Sequence, residues 1–124
     1  MELVRHYKTV AAAQKQWARL IELIKIETND FNRKKEREFF AVSGFGNELE
    51  VTAPDLRVKI KLDARTPSID YTYLDPYPNL NEKEPGEYRF RLKDERVFMV
   101  GKYDNDTPLS IETVGGELLD PLVR

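Results

Sequence analysis

The chain has no cysteine, one histidine and one tryptophan. Without cysteine there is no disulfide, no thiolate nucleophile and no cysteine-ligated metal. That suits a reducing compartment, and the expectation is a cytoplasmic protein. Long apolar runs are also missing. No stretch approaches the roughly 18 residues needed to span a bilayer. The opening segment, Met1-Glu2-Leu3-Val4-Arg5-His6-Tyr7, lacks the apolar core of a signal peptide. No membrane partner is therefore expected. An excess of one charge is missing too. Twenty basic residues face 22 acidic ones, for a formal net charge of −2. Such a chain has no global attraction to nucleic acid or anionic surfaces. There is no internal repeat and no low-complexity tract.

What is present is a change of hydrophobic period. At 124 residues the size fits a single domain, residues 1–124, with one core. From about residue 9 to 33, apolar residues recur every three to four positions, with Val10, Ala13, Trp17, Leu20, Ile21, Ile24 and Phe31 on one stripe. This predicts an amphipathic helix lying on something apolar, with Trp17 buried at the centre of the contact. Thr9 is its expected N-cap. A break is expected at Thr28-Asn29-Asp30, whose side chains compete for backbone hydrogen bonds.

From about residue 37 to 103 the period is two. Leu56-Arg57-Val58-Lys59-Ile60-Lys61-Leu62 alternates strictly, and Tyr88-Arg89-Phe90-Arg91-Leu92-Lys93 repeats the pattern. Gly44-Phe45-Gly46-Asn47, Pro54-Asp55 and Asp94-Glu95-Arg96 read as turns. Short links force antiparallel neighbours, because a parallel crossover needs a dozen or more residues. From about residue 108 to 120 the pattern is helical again, with Thr107 as the expected N-cap and Pro108 at the first helical position. Gly115-Gly116 predicts a break in that helix in preference to a close crossing on Ala11-Ala12-Ala13, and Pro121 is expected to end it. The expected fold class is α+β: an antiparallel five- to six-stranded meander, with a long N-terminal and a short C-terminal helix packed on one face.

Sites of chemistry are sparse. His6 lies in a charged terminal segment, and its plain reading is a surface residue, since a histidine base usually needs a positioning carboxylate. Asp104-Asn105-Asp106 spaces oxygen ligands as a calcium loop begins, but Leu109 and Gly115 stand where that loop needs glycine and glutamate. Gly44-Phe45-Gly46 lacks the third glycine and following helix of a phosphate loop. The carboxylates Glu48, Glu50, Asp63, Asp70 and Asp75 read as cross-strand ion-pair partners. No catalytic residue, metal ligand or cofactor is assigned, and the chain is not expected to be an enzyme.

Three surfaces remain. Arg57, Lys59, Lys61, Arg89, Arg91 and Lys93 should share the open face of the sheet, a possible anion- or single-strand-binding face. The acidic residues on adjoining strands make nucleic acid the less favoured partner. The long Asp75–Gly86 connection carries Tyr77 and Leu80 as a candidate interaction loop. A small-molecule pocket between helix and sheet would be lined by Trp17, Tyr71, Tyr73 and Tyr88. The favoured expectation is a non-enzymatic protein-interaction or adaptor module, acting through sheet edge, open face or loop. Its partner would be another protein or itself, and an outward-facing Phe39 would favour a homodimer.

Overall fold

A computed structural model describes residues 2–79, 81–94, 96–101 and 107–124, with side chains from residue 6 onward. Helix α1 (Glu2–Lys35) is followed by strands β1 (Ala41–Phe45), β2 (Glu48–Thr52), β3 (Arg57–Asp63), β4 (Ser68–Leu74), β5 (Gly86–Lys93) and β6 (Arg96–Gly101), then helix α2 (Ile111–Val123). The six strands form one antiparallel sheet in the order β1-β2-β3-β4-β5-β6. This is the α+β meander that the change of period predicts. Among the described residues, no helix is long and apolar enough to cross a membrane.

Helix α1 begins earlier than expected. Thr9 is not its cap but an interior residue, 7% exposed, because residues 2–8 hold no glycine or proline to stop the helix. His6 is thus helical and exposed. The break at Thr28 does not occur either. The Thr28 hydroxyl donates back to the Ile24 carbonyl at 2.7 Å, so its bonding capacity is used within the helix. At about 1.5 Å per residue α1 is roughly 51 Å long. It lies close to β1 at one edge of the sheet and to β5 and β6 at the other. Ala13, Trp17, Leu20 and Ile24 meet Leu49, Val51, Val58, Ile60, Ile69 and Phe90 in one core. Trp17 is buried, and its indole N–H donates to the Gly46 carbonyl.

Helix α2 starts at Ile111, not after Thr107. Leu109 is held extended by an antiparallel bridge to Met99, its N–H donating to the Met99 carbonyl at 2.8 Å. The helix can begin only beyond that bridge, and Ser110 caps it by accepting from the Thr113 N–H. Gly115-Gly116 does not break the helix. A Cβ on Gly115 would lie 3.0 Å from Leu23 Cδ2, so this glycine permits a close crossing, though against Leu20 and Leu23 instead of the alanines. Pro121 does not end the helix, which runs on to Val123. Proline lacks the N–H that would bond the carbonyl four residues back. The Tyr73 hydroxyl comes to this turn, donating to the Leu118 carbonyl at 2.7 Å and lying 3.5 Å from that of Glu117.

Candidate functional site

The strand register sorts the open face into rows. One row runs Ala41, Thr52, Arg57, Leu74, Glu82; another runs Phe45, Glu48, Lys61, Asp70, Glu87. Strands β1 to β4 carry both rows, four positions apart; Glu82 lies in the connection before β5 and Glu87 in β5 itself.

In the first row Arg57 is completely buried, although it lies on the face away from the helices. Its cover is the Asp75–Gly86 connection, which the sequence reads as irregular. That segment folds back on β4 through a Leu74–Glu82 bridge and a Lys83 N–H bond to the Tyr73 carbonyl. Its first turn then lies over β3. Arg57 Nε donates to the Asp75 carbonyl (3.0 Å), Nη1 to Glu50 Oε1 (2.8 Å) and Nη2 to the Asn79 carbonyl (3.1 Å). The Tyr77 ring stacks on the guanidinium, 3.8 Å from its central carbon to the ring centroid. The Tyr77 hydroxyl donates to the same Glu50 oxygen at 2.8 Å. Burial pushes the Glu50 carboxyl upward, but hydrogen bonds from Arg57 and Tyr77 and the Arg57 charge outweigh it, so Glu50 sits below its usual range. The hydrogen bond to Glu50 raises the Tyr77 phenol. Each of the three Arg57 nitrogens has a partner, so this cation serves as a clamp on the loop. Leu80, the other candidate loop residue, lies outside the described residues, as do Asp104, Asn105 and Asp106.

The remaining cations do not make one patch. Lys59 stands between Glu50 and Thr72, and Lys61 between Glu48 and Asp70. Arg89 pairs with Glu87 at 2.7 Å. Strand β5 is displaced along β4, so that Ser68 pairs with Arg89 and Asp70 with Glu87. Arg91 and Lys93 therefore lie beyond the start of β4, away from the β3 row. There Lys93 is directly opposite Arg96, and Arg91 opposite the half-buried Phe98. Burial raises the Asp70 carboxyl despite a hydrogen bond from Ser68, and the charges of Asp63 and Glu87 push the same way.

The three tyrosines come together at the far end of the sheet, without Trp17. They line a groove of about 510 Å³ beside α2. Burial and the bond to Glu117 (2.6 Å) raise the Tyr88 phenol, and burial raises that of Tyr73. The Tyr71 ring lies so close over Gly86 that a Cβ there would be 2.2 Å from it. Among the described residues, no cluster of three or more histidine, aspartate or glutamate side chains could hold a metal ion.

Sequence reasoning did not single out β1, whose outer side is the sheet's bare edge. Ala41-Val42-Ser43-Gly44-Phe45 carries no charge and no proline. Phe45 is 93% exposed, the most exposed large apolar side chain among the described residues. Phe39, expected outward, instead packs half-buried against Phe31 and Phe40, with ring centroids 5.1 and 4.9 Å away. The two-residue Gly46-Asn47 connection, with Gly46 at φ 65°, makes Phe45 and Glu48 the pair that closes the hairpin. Odd positions of β1 thus bond to β2, and the N–H and C=O of Val42 and Gly44 point outward. Phe40 points the same way, and there Asn32 takes the part of a neighbouring strand. Its Oδ1 accepts from the Phe40 N–H at 2.8 Å and its Nδ2 donates to the Phe40 carbonyl at 2.9 Å. The opposite edge is covered at Met99 by Leu109. Beside β1 lies a groove of about 550 Å³ over Ser43, Phe45, Glu48, Glu50, Lys59 and Thr72. An uncharged strand with unpaired backbone groups, next to an exposed phenyl ring, can accept another strand.

Comparison of the chain with protein-family models, with curated proteins and with solved structures returns no match in any of the three.

Proposed function

We propose that this protein is a non-enzymatic interaction module that binds an extended segment of a protein chain along the outer edge of β1. The observation that carries the reading is the combination at that edge: Val42 and Gly44 present outward backbone groups, and Phe45 is 93% exposed beside them. Natural sheets usually blunt such an edge with charge, proline or a cover. Here the cover stops at Phe40, where Asn32 has already taken the backbone groups. Backbone bonds to Val42 and Gly44 would supply affinity, and contact with Phe45 and the adjoining groove would supply selectivity. The direct test is an NMR titration with an extended, valine- and threonine-rich peptide. Shifts should concentrate at Val42, Gly44 and Phe45. No shift at these residues at millimolar peptide would remove the reading.

A second reading rests on the tip of the β5–β6 hairpin. Lys93 and Arg96 are directly opposed there, an arrangement that is unfavourable unless an anion comes between them. With Arg91 and Phe98 alongside, this is the part of the basic face best suited to a phosphate-bearing or single-stranded ligand. Oligonucleotide binding that weakens with salt and is lost in Lys93→Gln with Arg96→Gln would favour it.

A further inference from the structure

We infer that the segment taken up by β1 is the β1 strand of a second copy of this chain, giving a twofold dimer with a continuous sheet. The inference rests on the edge-binding reading above and names its partner.

The register follows from which backbone groups are available. Phe40 is occupied by Asn32, and the chain turns away at Gly46. Only Val42 and Gly44 are left to pair. Two antiparallel copies satisfy both positions in one register centred on Ser43: Val42 opposite the partner's Gly44, and Gly44 opposite the partner's Val42. Each such pair exchanges two hydrogen bonds, so no outward group of β1 is left over. A twofold axis then passes between Ser43 and the partner's Ser43, and the contact closes on itself instead of growing into a fibre.

The side chains suit the same register. On the open face Phe45 falls opposite the partner's Ala41, and Ala41 opposite the partner's Phe45. The exposed ring of each copy thus meets the smallest apolar side chain of the other, and the compact Ser43 side chains meet at the axis. Cross-strand pairs of this kind are what fix register on an otherwise flat edge. No charge lies anywhere on β1 to oppose its own copy. An unrelated partner strand would gain the same backbone bonds, but it would not bring the matched ring and alanine on both sides of the axis.

The test uses the full chain and sedimentation velocity from low to high micromolar concentration. The wild type should show a concentration-dependent monomer–dimer equilibrium. Ser43→Lys and Ser43→Asp should each shift dissociation at least tenfold towards monomer, because like charges face each other at the axis. Mixing these two variants should restore a dimer containing one of each, which no merely misfolded variant would do. Val42→Pro should also abolish the dimer. Its lost N–H points away from β2, so the hairpin should persist, with unchanged circular dichroism. A dimer that survives Val42→Pro, or a mixture of the Ser43 variants that stays monomeric, overturns the proposal. So does a wild type that is monomeric throughout. If that monomer still binds the extended peptide at Val42 and Gly44, self-pairing alone has failed; if it does not, the edge-binding reading has failed as well.

Discussion

Arg57 and Lys61 occupy the same strand, the same face and the same alternation, yet one is fully buried and the other has a side chain 62% exposed. The difference is what crosses above them. Over Arg57 lies a loop whose carbonyls and ring, together with Glu50 of β2, engage all three nitrogens and the face of the guanidinium. Lys61 has a long 3.9 Å contact to Glu48 and stands opposite Asp70, with its side chain largely in solvent. One end of the open face is therefore closed and contributes to stability. The other, running to Phe45 on β1, is bare and adjoins the edge proposed to take up a second strand.

The comparison breaks most visibly at Glu50. Glu50→Ala leaves Arg57 buried without its counter-charge and should cost about 3–5 kcal/mol, read as a shift of the urea midpoint. Glu48→Ala, two pairs closer to the hairpin turn, should change stability by no more than about 0.5 kcal/mol. Equal costs would remove the distinction between the Arg57 and Lys61 positions. Tyr77→Ala takes away the ring stacked on Arg57 and the hydrogen bond to Glu50, and the urea midpoint should fall, by less than in Glu50→Ala. Amide signals of the 75–79 turn should broaden in that variant, while those of β1 stay in place.

Weaker effects sharpen the picture. Lys59→Gln with Arg91→Gln should alter stability by at most about 1 kcal/mol, since both side chains are exposed. A larger loss would mean that the bare rows also hold the sheet together. Acid should separate the Arg57 partner from the Lys61 neighbour as well. Glu50 is held below its ordinary value, so its contribution is complete above the unfolded pKa of about 4.5 and is lost as pH falls through the lower folded value. Asp70 is raised, so the native state holds its proton more tightly, and lowering pH through that range favours folding. Asp70→Asn should therefore be neutral or slightly stabilising at pH 7, and Glu50→Gln destabilising. Thermal midpoints of the two variants at pH 7 and pH 4 check the signs; a destabilising Asp70→Asn at pH 7 would contradict this assignment.

Much of the architecture was legible because burial imposes a period. Trp17, Leu20 and Ile24 recur as a helix facing a sheet must, and Val58, Ile60 and Leu62 alternate as a half-buried strand must. Those patterns carried the fold class and the antiparallel order. They could not show Arg57, because alternation says which face a side chain takes and not what folds over it. The cover comes from a loop with no period. Thr28 and Gly115 misled for a related reason: local propensity argued for breaks, and tertiary packing overrode it. Ser110 was missed as a cap because a bridge to β6, distant in sequence, delays the helix. The edge of β1 had a readable signal, an uncharged run from Phe39 to Gly46. Its meaning depended on Asn32 closing Phe40 and on the hairpin phase, both of them contacts between segments.

The most direct test of the central claim is residue-resolved amide hydrogen exchange along β1 at low protein concentration. Val42 and Gly44 should exchange within the dead time or close to it. Ser43 and Phe45, bonded to β2, and Phe39 and Phe40, bonded to Asn32, should be slow by comparison. Raising the concentration should slow Val42 and Gly44 alone. Val42 and Gly44 amides as protected as Ser43 in dilute solution would show that the edge is not open, and would contradict the account.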